Sequence, residues 1–102
     1  MKENKNMVDP NNLEEWLLSN KVEVYKKSIE AANELVTDNT ITQKLMVEFS
    51  WEDEIYAKIY MKRSDVPNAM KKAIEYFVEN ELYEEAQIAK NINDQFYSKR
   101  LS

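Results

Sequence analysis

The 102-residue chain has no cysteine, no histidine and no glycine, and only two prolines. Without Cys and His it lacks the usual zinc ligands, a thiolate nucleophile, any disulfide and the commonest general base near neutral pH. Transition-metal chemistry and triad hydrolysis are therefore not expected. Without Gly there is no phosphate-cradling loop, no dinucleotide fingerprint, no Ca²⁺-loop glycine and no nucleophile elbow. A catalyst would have to be assembled from carboxylates, Lys, Tyr and Ser alone, so we expect no enzyme, no cofactor and no metal site. Apolar runs are only a few residues long, and no apolar segment follows the polar Met1–Asn6 stretch. Neither a membrane span nor a secretory signal is expected, and the default location is cytoplasmic.

What the chain does contain places it among folded proteins. Hydrophobic residues make up 43%, aromatic residues 11% and charged residues 32%, and the length suits one domain with one modest core. The formal charge of −5, from 19 acidic and 14 basic residues, disfavours generic binding to nucleic-acid phosphates.

Residues 1–8 read as a mobile leader and residues 99–102 as a frayed tail, with one domain spanning 9–98. Asp9-Pro10 marks a helix start, with Asp9 as N-cap and Pro10 preset for the first helical position. Leu13, Trp16 and Leu17 supply the apolar face, with Trp16 as a core anchor. Asn20 and Glu23 have the spacing of a capping box that restarts the chain as a second helix to about Val36. A single bent helix from Pro10 to Val36 is the competing reading, because Leu18, Val22, Tyr25, Ile29, Ala32 and Val36 keep helical spacing. Thr37–Thr40 is a turn cluster.

From Lys44 to Arg63 the period changes to two. Leu45, Val47, Phe49 and Trp51, then Ile55, Ala57, Ile59 and Met61, alternate with polar partners around a Glu52-Asp53-Glu54 corner, which predicts an antiparallel β-hairpin. Ser64 or Asp65 then caps a helix that Pro67 helps begin, with Met70, Ala73, Ile74, Phe77 and Val78 on its apolar face. A last helix from about Glu81 to Tyr97 buries Leu82, Ala86, Ala89, Ile92 and Phe96. The expected fold is α+β: two N-terminal helices, a central antiparallel hairpin and two C-terminal helices. An all-α bundle is the alternative, since Ile55/Ile59 and Tyr56/Tyr60 also have four-residue spacing.

Two surfaces carry a mechanism. Tyr56, Lys58, Tyr60 and Lys62 would project together from the outer face of the second strand, with Arg63 just beyond. Rings alternating with cations are the ingredients of a single-stranded nucleic-acid platform, although Tyr and Lys are also ordinary residues for a half-exposed strand whose edge needs protection. The second surface is acidic. Glu52, Asp53 and Glu54 lie at the hairpin tip, while Glu75, Glu79, Glu81, Glu84 and Glu85 crowd the last two helices. From Ser64 to Phe96 there are seven acidic and three basic residues, a local charge of −4. Such a face suits a basic protein partner, or imitation of DNA phosphates, or plain solvation.

Within Met70–Ile92, the residues Ala73, Ile74, Phe77, Glu79, Asn80, Glu81, Tyr83, Glu84, Glu85 and Ala86 form an apolar helix, an acidic turn and a Tyr-Glu-x-Ala opening. This segment resembles the helical hairpin of UvrB, UvrC and some protease-associated proteins. The resemblance covers less than a quarter of the chain and implies a small protein–protein docking hairpin without catalysis. Small, acidic, Tyr-rich and free of Cys, the chain is also similar in style to accessory proteins of large bacteriophages. The expected function is a non-catalytic regulator, inhibitor or adaptor acting on a protein partner through Glu75, Glu79, Glu81, Glu84 and Glu85. The alternative is single-stranded nucleic-acid binding through Tyr56, Lys58, Tyr60, Lys62 and Arg63. Self-association is a further expectation, because a two-stranded hairpin leaves unpaired edges.

Overall fold

Among the described residues, helices cover one face of a small sheet and leave the other open. A computed structural model describes residues 5–101, with side chains for residues 6–98. Strand β1 (Lys5–Met7) leads through a 3₁₀ turn at Pro10–Asn12 into α1 (Leu13–Ser19) and α2 (Lys21–Thr37). Strands β2 (Gln43–Trp51) and β3 (Glu54–Lys62) form the hairpin. A second 3₁₀ turn at Arg63–Asp65 opens α3 (Val66–Glu79), and α4 (Tyr83–Leu101) completes the α+β fold.

The N-terminal segment departs from the expected leader. Residues 1–4 lie outside the described residues, but Lys5–Met7 pairs parallel to Glu48–Ser50, and the Val8 N–H continues the ladder to the Ser50 carbonyl at 3.1 Å. Among the described residues the sheet therefore has three strands in the order β1-β2-β3, one more than a hairpin. A three-residue strand carried no period that sequence reading could detect. At the other end, the backbone of α4 is helical through Leu101, and Ser102 lies outside the described residues.

The caps explain where the helices stop. Asp9 accepts the Asn11 N–H at 2.9 Å, and Pro10 follows at the first position of its turn, as the sequence predicts. Asn20 does break the chain into two helices, but not by capping α2. Its side-chain amide and its backbone N–H both donate to the Trp16 carbonyl, so it closes α1. Asn80 does the same to the Tyr76 carbonyl at the end of α3. Asp65, expected to cap α3, instead accepts the Lys62 N–H at 3.1 Å and caps the short turn before it.

The core lies between the sheet and the helices, with Leu35, Val36, Phe49, Val66, Met70 and Phe77 fully buried. Trp16 of α1 stands edge-on against Phe49, with ring centroids 5.2 Å apart. The hairpin alternation is interrupted twice. The register steps between Leu45 and Val47, opposite Tyr60 and Ile59, and again between Phe49 and Ser50, opposite Ala57 and Ile55. Each step adds one residue to one strand and reverses the faces beyond it. Met46, expected outside, is consequently buried, and Leu45 stands opposite Tyr60 on the open face. Ile55, expected inside, is 45% exposed.

Candidate functional site

The two irregularities decide which of the expected site residues share a surface. Tyr56 is the extra residue at the second step, and its ring lies 6.4 Å from that of buried Phe49. Its hydroxyl donates to the Val8 carbonyl at 2.6 Å, so the side chain turns toward the helix-covered side. Desolvation first, and the nearby Asp9 carboxylate second, hold this hydroxyl above its usual ionisation range. Tyr56 therefore does not join Tyr60 on the outer face.

Arg63 is also engaged elsewhere. Its guanidinium donates to the carbonyls of Leu35, Asp38 and Ile41, the Asp38 bond measuring 2.9 Å, while its backbone N–H donates to the Thr42 carbonyl. One side chain thus satisfies the Leu35 carbonyl, which the end of α2 leaves without an intrahelical partner, and two carbonyls along the connection to β2. Asp38, within that connection, accepts both the hydroxyl and the N–H of Thr40. Those bonds, the hydroxyl's first, hold its carboxyl below the usual range, with Arg63 adding a smaller effect.

Of the five residues expected to form a nucleic-acid platform, Lys58, Tyr60 and Lys62 remain together. They alternate along β3 on the open face, opposite Glu48, Leu45 and Gln43 respectively. One ring and two cations, with a carboxylate across from one of them, offer a single stacking position in place of two.

The acidic residues lie around the junction of α3 and α4. Glu75 and Glu79 are one turn apart on α3, Glu81 sits in the connection, and Glu84 and Glu85 open α4. All are exposed except Glu85, which is half-buried, and none forms an ion pair among the described residues. Glu84 and Glu85 also have a local role, since negative charge in the first turn of α4 favours the positive end of its dipole. The connection is a Schellman closure: Glu81 donates to the Val78 carbonyl at 3.0 Å and Leu82 to that of Phe77 at 2.7 Å. Glu81 holds φ 59° there, a left-handed conformation that usually selects glycine. Its backbone is thus fixed at the tip of the hairpin, with the side chain exposed.

Sequence reading placed both tryptophans inside and missed that they share a cleft. A cavity of about 450 Å³ opens between the β1 end, α1 and the hairpin tip, with Trp16 and Trp51 in its wall. The available signal was that the chain has only two Trp, each beside acidic residues.

Among the described residues, no group of three or more carboxylates is placed to hold a metal ion, and no helix is long and apolar enough to cross a membrane. Compared with known proteins, the chain matches no family model, no curated protein and no solved structure.

Proposed function

We propose that the protein is a non-catalytic binding module that engages a basic protein partner through the acidic junction of α3 and α4, as a regulator, inhibitor or adaptor. The observation that carries this reading is that Glu75, Glu79, Glu81, Glu84 and Glu85 surround one helical hairpin without ion-pair partners among the described residues. Unneutralised carboxylates on a rigid hairpin raise the encounter rate with a positively charged surface and exclude acidic ones. The cytoplasm is the proposed place of action. The test is affinity capture from the native cell with the wild-type chain and with Glu79, Glu81, Glu84 and Glu85 all changed to Lys. A stoichiometric basic partner held by the first and released by the second supports the reading; equal capture by both contradicts it.

Self-association is a second reading, favoured by one observation. Strand β3 pairs with β2 on one side and, among the described residues, with no strand on the other. A second copy pairing at that edge would satisfy its free backbone groups. Sedimentation equilibrium distinguishes a dimer from a monomer directly. The nucleic-acid reading has less support, since Tyr56 and Arg63 spend their polar groups on intramolecular bonds.

A further inference from the structure

We propose that the cleft beside Trp16 and Trp51 is a recognition site for an arginine side chain presented by a protein partner. This site is built from the N-terminal half of the chain and the hairpin tip, and it does not depend on the acidic junction of α3 and α4.

Its volume of about 450 Å³ is in the range of pockets that hold small ligands. Both tryptophans of the chain line it. Trp16 is oriented by its edge-on contact with Phe49, and Phe49 is fully buried, so that indole is fixed before any ligand arrives. Trp51 ends β2 at the turn and remains 37% exposed, which leaves an apolar ring facing water at the cleft rim. Indole is the best neutral surface in proteins for a cation, and a planar guanidinium stacks on it while keeping its edge donors free.

The polar lining selects charge. Among the described residues, Asp9 and Glu15 are the ionisable side chains of the wall and no Lys or Arg lines it. Asp9 is held in place because one carboxylate oxygen accepts the Asn11 N–H at 2.9 Å, and its other oxygen has no partner among the described residues. The amides of Asn12 and Asn20 and the Ser19 hydroxyl add neutral polar groups to the lining; the Asn20 nitrogen is committed to the Trp16 carbonyl, which leaves its oxygen as an acceptor. Glu14 precedes Glu15, and Glu52, Asp53 and Glu54 follow Trp51, so acidic neighbours in sequence outnumber the one cation, Lys21, that follows Asn20. An anionic ligand would be repelled by the Asp9 and Glu15 carboxylates, and a neutral one would leave them without a counter-charge. Arginine satisfies both features of the wall, since its face covers indole while its edge donates to carboxylate oxygens.

The wall is fixed by bonds already described. The parallel pairing of β1, the Val8 N–H to Ser50 and the Tyr56 hydroxyl to Val8 hold residues 7–9 against the hairpin. The cleft is therefore preorganised, which lowers the ordering cost of binding.

The experiment titrates the full chain with the peptide acetyl-Ala-Arg-Ala-amide and follows the two indole N–H resonances by NMR. The citrulline peptide, the same shape without the charge, is the comparison. The expected result is a saturable shift of both indole signals with the arginine peptide, with binding of the citrulline peptide about tenfold weaker or absent. Glu15→Gln, an exposed position whose change leaves the fold intact, is expected to weaken arginine binding about fivefold. Trp51→Ala is expected to abolish saturation at the remaining indole. Changing Glu79, Glu81, Glu84 and Glu85 to Lys should leave the indole response in place, which separates this site from the acidic junction. Indole signals that do not move, that respond equally to citrulline, or that lose their response with the junction variant would each overturn the proposal.

Discussion

The Tyr56 hydroxyl donates to the carbonyl oxygen of Val8, 48 residues earlier, at 2.6 Å. This bond adds a side-chain link between the hairpin and the N-terminal segment to the backbone pairing of β1 with β2. It satisfies a carbonyl beside the buried Val8 side chain and takes Tyr56 off the outer face of β3. Tyr56→Phe keeps the ring against Phe49 and removes only the donor, leaving that acceptor without its partner. We expect a Tm lower by about 4–8 °C, read by thermal unfolding. An unchanged Tm would show that the bond contributes nothing to the folded state.

The same hydroxyl gives a pH dependence of known sign. Burial first, and Asp9 second, raise its ionisation above the ordinary value of 10.0 in the folded chain. The folded state therefore holds the proton more tightly than the unfolded state. The stability this contributes is fully present below 10.0 and is lost as pH rises through the raised folded value. Because the chain has five other tyrosines, the readout is the difference between wild type and Tyr56→Phe. Their stabilities are expected to converge as pH rises above 10.0, and a constant gap would contradict this assignment.

Arg63 organises the connection between α2 and β2 by donating to the Leu35, Asp38 and Ile41 carbonyls. A lysine cannot span that fork, so Arg63→Lys should lower unfolding stability by about 2–3 kcal/mol even though the charge is kept. Lys62→Met, next to it on the open face, should change stability by less than about 0.5 kcal/mol. Urea denaturation of the two variants measures the contrast.

Glu81 occupies a left-handed position in a chain that has no glycine. Glu81→Gly should raise stability by about 0.5–1 kcal/mol, because the backbone penalty exceeds the entropy that glycine adds to the unfolded chain. Glu81→Ala removes the same charge without relieving φ and should give no gain. That pair of variants separates backbone relief from electrostatics in a chemical denaturation series.

The helices were legible because Met70, Ala73 and Phe77, or Ala86, Ala89 and Phe96, repeat at a spacing that only a helix converts into one face. Asp9-Pro10 and Asn20 were legible as boundaries, although the bond Asn20 makes points to the helix before it. The hairpin was legible as a period of two, yet its site residues were not. Two extra residues, Met46 and Tyr56, reverse the faces of what lies beyond them, and no side-chain alternation announces a step in backbone register. The fate of Arg63 was hidden for a different reason, since its partners are backbone carbonyls, which carry no sequence signature. Strand β1 was too short to show a period, and the cleft it helps enclose was correspondingly invisible.

The central claim is that the protein binds a basic partner through the junction of α3 and α4. Its most direct test is to add the captured partner to the isotopically labelled chain and record which backbone amides shift. The account predicts perturbation concentrated between Glu75 and Glu85 and weakening as salt is raised. Perturbation confined to Lys58, Tyr60 and Lys62 on the open face of β3, with residues 75–85 unchanged, would contradict it.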